Sequence, residues 1–205
     1  MATKQPIATR RRILDAAFWE IYRNGFQRAS IDRILDGTSM TKGALFHHFP
    51  NKQQLGFAVI DESVREWIRQ CWITPLSSPG DPIDGLSRSL RTYLDGSPEE
   101  IIHGGCPLNN LTQELAGMDE AFRLRLAQIL SEWRAAVADA WRRGQADRVV
   151  RADVDADRMA GFVVSSIEGL LGAAKSAKSR ASANDLAAVL TGLLEPLRRQ
   201  DPERP

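Results

Sequence analysis

The chain has 205 residues, 43% hydrophobic and 26% charged, enough to bury a core unaided and ordinary for a globular protein. No apolar run reaches the ~18–20 residues of a membrane helix, and no apolar stretch follows the basic start as it would in a secretory leader. Two cysteines, Cys71 and Cys106, are too few for a disulfide scaffold and fit a reducing, cytoplasmic setting. The net charge of +1 hides an asymmetry: residues 1–52 carry nine Lys/Arg and four Asp/Glu, and the rest of the chain is net negative. A basic head on an acidic body predicts a polyanionic partner for the head.

The periodicity is helical throughout and predicts an all-α protein of about nine helices. Ile13, Leu14, Ala17, Phe18, Ile21 and Tyr22 form one apolar stripe, and Gly25 ends that helix. Ser30 caps a short second helix and Thr41 a third, which stops before Pro50. Asn51 with Gln54 resembles a capping box for a fourth helix, whose apolar face is Leu55, Val59, Val64, Trp67, Ile68, Cys71 and Trp72. Residues 74–82 read as a loop and Asp84 to Leu94 as a fifth helix. GSPEEIIHGGCP reads as a second irregular stretch. A sixth helix begins near Pro107. The seventh begins at Asp119 and Glu120 and ends at Arg142, Arg143 and Gly144. The eighth spans about Asp155–Lys178, and the ninth runs from Asn184 to about Arg199. The division predicted is residues 1–52 as a three-helix head and 53–205 as a larger body.

Two short helices around a tight turn in a basic segment make a helix-turn-helix pattern. In TKGALFHHF, Thr41 caps, Lys42 points outward, and Gly43 and Ala44 are small enough for close approach to a groove. Leu45 and Phe49 anchor the helix inward. Lys52 opens the next helix, where backbone N–H groups and an ammonium together suit a phosphate.

The stretch NGFQRASIDRILDGTSMTKGALFHHFPNKQQL resembles the DNA-binding head of the TetR family of bacterial repressors. The resemblance implies a homodimer that binds a palindromic operator on double-stranded DNA and releases it when a small molecule or chemical stress acts on the body. It also implies that Thr41, Lys42, Gly43 and Ala44 face the groove, and that His47, Lys52 and the capping Ser30 reach phosphates. Phe46 stands where the family has Tyr, which removes a hydroxyl contact worth about 1 kcal/mol per half-site. Ser39 stands where the turn has Gly, at a cost on the order of 1 kcal/mol if the turn is left-handed.

In the body, Ser165, Gly169, Gly172 and Ser176 line one face of the eighth helix, and Leu186, Val189, Leu190 and Leu193 lie on the ninth. Small residues at that spacing allow close approach, and two such helices per chain predict a four-helix dimer interface. Cys71 reads as an inert core thiol. Cys106, before Pro107, reads as a helix N-cap thiol. The body resembles TetR-type regulators that pair a Cys before the sixth helix with a Lys late in the eighth, here Cys106 and Lys175. Two readings of Cys106 stand: an electrophile or oxidant sensor, or a small buried pocket residue beside a solvated Lys175. Asn109, Asn110, Trp72, Trp133, Phe162 and Glu168 are further cavity candidates.

No metal site, cofactor motif or catalytic constellation is legible. Two ligands, His103 and Cys106, do not make a zinc site, and Asp153, Asp155 and Asp157 lack the Gly and closing Glu of a calcium loop. The expected function is a DNA-binding regulator rather than an enzyme. The alternatives are a thiol-reactive helical enzyme or scavenger, and a nonspecific DNA-binding protein.

Overall fold

The computed structural model describes residues 4–36 and 38–199. Among them all regular structure is helical, and the one β-bridge is an isolated pair, Val150 with Arg198. Helix α1 spans Lys4–Asn24. Ile13, Leu14 and Ala17 on its inner stripe are fully buried. Gly25 follows with φ +79, a conformation that favours glycine, and a Cβ there would press on the Glu114 carboxylate at 2.9 Å. Helices α2 (Ile31–Leu35) and α3 (Lys42–His48) both pack against α1, with Ile34, Leu45 and Phe49 buried beneath them.

Helix α4 begins at Lys52, with the Asn51 side chain accepting from the Gln54 N–H at 2.8 Å. After Ala58 the helix does not break. It continues through a π-helical stretch, Val59–Val64, an α-turn, Arg65–Ile68, a second π-helical stretch, Arg69–Ile73, and a 3₁₀ turn, Thr74–Leu76. The predicted loop is therefore shorter than expected. Asp81 caps α5 (Pro82–Gly96) and Pro82 takes its first position.

Three boundaries differ from expectation. The stretch expected to be irregular holds a short helix, α6 (Glu99–Gly104), with Glu99 and Glu100 at its favourable end. Helix α7 is Pro107–Leu115 and α8 is Glu120–Ala146. Gly144 does not end α8. A Cβ there would meet the Pro82 ring at 2.8 Å and Val150 at 2.9 Å, so this glycine serves packing rather than capping. Helix α9 (Ala156–Ala177) is capped by Asp155, which uses one of the three acids considered for calcium. Helix α10 (Arg180–Leu194) starts earlier than expected because Ser179 caps it, and gives way to a 3₁₀ turn containing Pro196.

The chain forms two compact units. The first holds the chain up to Trp67 together with Pro107–Ile129. The second holds Ile68–Cys106 and the chain from Leu130 onward. In the first, Phe18 packs against Trp19, Tyr22 and Trp67, and Phe122 against Phe26 and Phe57, with centroids 4.7–5.9 Å apart. In the second, Trp72 stacks on Trp133 at 5.6 Å, and α9 packs along α10. No helix of the described residues is long and apolar enough to cross a membrane.

Candidate functional site

In the first unit each short helix is set by its cap. The Ser30 hydroxyl accepts from the Asp32 N–H at 3.2 Å, and the Thr41 hydroxyl from the Ala44 N–H at 3.1 Å. The turn between α2 and α3 bends through Ser39 at φ +56. Thr38 holds that turn: its hydroxyl donates to the Leu35 carbonyl at 2.7 Å, and its own carbonyl accepts from the Arg12 guanidinium at 2.9 Å. These bonds over-determine the left-handed residue, so serine is tolerated in the place of glycine.

The result is a face of α3 that carries Thr41, Lys42, Gly43, Phe46 and His47, all exposed, above buried Leu45 and half-buried Ala44. Lys42 is paired with Asp32 at 2.7 Å, an exposed pair that is weak in water. Lys52 is engaged inside the unit: its ammonium donates to the Gln27 carbonyl at 2.9 Å and lies over the Phe26 ring. The backbone just before that carbonyl is held as well. The Glu114 carboxylate on α7 accepts from the N–H groups of Phe26 and Gln27 at 2.9 and 2.8 Å. Sequence reasoning missed Glu114, because a contact spanning 88 residues leaves no periodic trace.

In the second unit the turn Gly104–Gly105–Cys106 lies on α9. A Cβ on Gly105, whose φ is +75, would stand 3.1 Å from Lys175 Cδ and 3.6 Å from the Leu171 carbonyl. The Cys106 thiol donates to Glu168 Oε1 at 3.1 Å. The structure thus brings Cys106, Glu168 and the stem of Lys175 together. It also buries Cys106 to 2% exposure, so this thiol is not an open N-cap. Burial pushes the Glu168 carboxyl up to about 7, against the pull of the thiol hydrogen bond.

A carboxyl held above its unfolded value stabilises the fold when protonated. That contribution is complete below about pH 4.5 and lost as pH rises through about 7. Between pH 8 and pH 5 the parent should gain on the order of 2 kcal/mol relative to Glu168→Gln in urea unfolding. Parallel profiles for the two proteins would refute the burial argument.

The other cavity candidates are not gathered with this cluster. Trp72 and Trp133 lie in the core of the second unit, 1% and 0% exposed. Their indole N–H groups have no hydrogen-bond partner among the described residues. Asn109 and Asn110 belong to the first unit. Phe162, expected to line a cavity, faces outward. With Gly169, Leu186, Val189 and Leu193 it lines an apolar groove along α9 and α10 whose floor includes Leu190. Phe162 is 46% exposed, and Val189 and Leu193 are each 59% exposed. Gly169 and Gly172 have open space where a side chain would be, and Ser165 and Ser176 are exposed beside them.

Against known families, residues 13–59 match the model of bacterial regulatory proteins of the tetR family, and residues 82–190 match the tetracyclin repressor-like C-terminal domain. A helix-turn-helix transcriptional regulator of the lacX 3′ region of Lactococcus lactis is 34% identical over 131 residues, covering 64% of this chain and 67% of that one. The repressor Rv1474c of Mycobacterium tuberculosis is 29% identical over 80% of this chain and 81% of its own. A TetR regulator from Chloroflexus aurantiacus superposes with a TM-score of 0.85 at 24% identity, over 97% of this chain and 100% of that one. The reduced form of NemR from E. coli gives 0.79 at 17%, over 96% and 100%. The chain belongs to the TetR family of bacterial DNA-binding transcriptional regulators. Proteins of this family regulate transcription rather than catalyse reactions, and bind DNA as dimers that respond to small molecules.

Proposed function

We propose that the protein is a cytoplasmic dimeric repressor that holds a palindromic operator with α3 and releases it when a small molecule, or modification of Cys106, acts on the second unit. The observation that carries this reading is the exposed face of α3. Thr41, Lys42, Gly43 and Ala44 sit on its first turn, where a recognition helix meets base edges. Phe46 offers an exposed ring for apolar contact with a thymine methyl. His47, Ser30 and, once freed from the Gln27 carbonyl, Lys52 would reach the phosphates beside that face. The dimer is formed through the α9–α10 groove.

A release route is supported by the chain path. Cys106 is followed directly by α7, and α7 carries Glu114, whose carboxylate accepts from the Gln27 N–H, while the carbonyl of the same residue accepts from Lys52. A shift of α7 would change what Lys52 can offer to DNA.

Lys52→Ala should weaken binding to all DNA alike and flatten the dependence of log affinity on log salt by about one unit for each phosphate it no longer neutralises. An unchanged slope would remove Lys52 from the phosphate set. The whole reading is tested by gel shift with the DNA flanking the protein's own gene, in a Cys71→Ser background, with and without N-ethylmaleimide. Specific binding that the reagent abolishes, and that Cys106→Ser protects, supports the cysteine trigger. Specific binding indifferent to the reagent leaves the repressor with a reversible ligand alone. Failure to discriminate this DNA from random duplex overturns the reading.

A further inference from the structure

A cleft of about 590 Å³ lies within the second unit, bounded by the helix after Ile68, the loop 77–81 and α5. Its walls are fixed by two arginines. Arg143 donates to the Leu76 carbonyl at 2.6 Å. Arg198 holds Asp81 and, at 2.6 Å, Asp84, while Asp81 also caps α5 through the Ile83 N–H at 2.8 Å. Gly80 and Gly96 leave open space where side chains would stand. Leu76, Tyr93 and Ala140 supply apolar wall.

The charge of the cleft is one-sided. Asp81 is the acid among its lining residues, and it is paired with Arg198, which also holds Asp84 and Glu195. The Cys71 thiol, pushed up to about 11 by burial, stays uncharged near neutrality. Arg88 lines the cleft with an exposed guanidinium that has neither ion pair nor hydrogen bond among the described residues, and Arg91 lies one turn further along the same face. A guanidinium fork without a partner, beside an apolar wall in a preformed cleft of ligand size, matches a carboxylate head on an apolar body.

We propose that this cleft binds a small amphipathic carboxylate, its head on Arg88 and its body against Leu76, Tyr93 and Ala140. The proposal rests on the reading of the second unit as the effector-binding part and names the chemical class of the effector. It uses none of the Cys106, Glu168 and Lys175 cluster.

The test is titration calorimetry of the full chain with octanoate, octanol and octylamine, for the parent and for Arg88→Gln. Arg88 is exposed, and matching thermal midpoints will verify that the variant folds. Octanoate should bind the parent, bind Arg88→Gln about tenfold or more weakly, and outcompete octanol, with octylamine inert. No binding of octanoate, equal affinity in the variant, or octanol binding as well as octanoate overturns the proposal. In parallel, octanoate should slow maleimide labelling of Cys71 at the cleft wall, and unslowed labelling places the ligand elsewhere and also overturns it. Operator binding is read on the same preparation without octanoate. Its loss there would sink the repressor reading while the calorimetric result stands by itself.

Discussion

The Gly43→Glu protein is expected to fold as the parent does and to bind its operator about 100-fold or more weakly. The fold has no reason to object. Gly43 is exposed on the first turn of α3, and among the described residues a Cβ there would meet the Thr41 hydroxyl oxygen at an ordinary 3.7 Å. Glycine is a poor helix former, by about 1 kcal/mol against alanine, and a carboxylate near a helix N-terminus is favoured. Stability should hold or rise slightly. On DNA the same side chain sets an anion against groove acceptors and phosphates, once per half-site. A penalty of about 1.4 kcal/mol in each half multiplies to a hundredfold. Circular dichroism with fluorescence anisotropy titration will read both quantities on one sample. A variant that binds within threefold of the parent would mean that the first turn of α3 does not meet the groove.

Val189→Glu should have a larger effect by a different route. Val189 is 59% exposed on α10, opposite Phe162 of α9, in a groove with no charged lining residue. Apolar side chains exposed together on two adjacent helices mark an association surface. A carboxylate there costs the protomer little, because water already reaches the site. In a twofold interface it appears twice and is desolvated twice. The protein should sediment as a monomer at micromolar concentration. Its operator affinity should fall about thousandfold or more, since a single half-site forfeits roughly half of the specific binding free energy. A dimer that persists with undiminished operator affinity would move the interface away from this groove.

What the sequence made legible was whatever depends on residues a few positions apart. The caps Ser30, Thr41 and Asn51 were readable because a hydroxyl or amide reaches an N–H two or three residues on, and each makes that bond. The left-handed residue at Ser39 was suggested only by the family resemblance, which puts a glycine there. Helix α6 was not readable, because the glycines and prolines crowded into GSPEEIIHGGCP hide a single turn and a half. Phe162 was misplaced because periodicity shows which residues share a face, not whether that face meets the protomer's own core or solvent. Glu168 and Cys106 were separately named as candidates, but their contact crosses 62 residues. Their shared proton, the elevated carboxyl and the buried thiol are products of tertiary packing.

The two π-helical stretches of the helix that begins at Lys52 have a genetic consequence. A π-turn accommodates one residue more than an α-turn in the same span. The codon for that extra residue behaves as a tolerated insertion, with the surplus absorbed as a bulge. Removing one codon from Val59–Val64 would let the backbone return to ordinary α-geometry. Leu55 and Phe57 on one side and Val64 and Trp67 on the other would keep the faces they now present, because the bulge absorbs the surplus residue. A one-codon deletion within Val59–Val64 should therefore be tolerated better than one in the α-helical part Lys52–Ala58, which would turn every later residue by about 100°. Relatives lacking the bulge should align with this chain only through a one-residue gap in this helix.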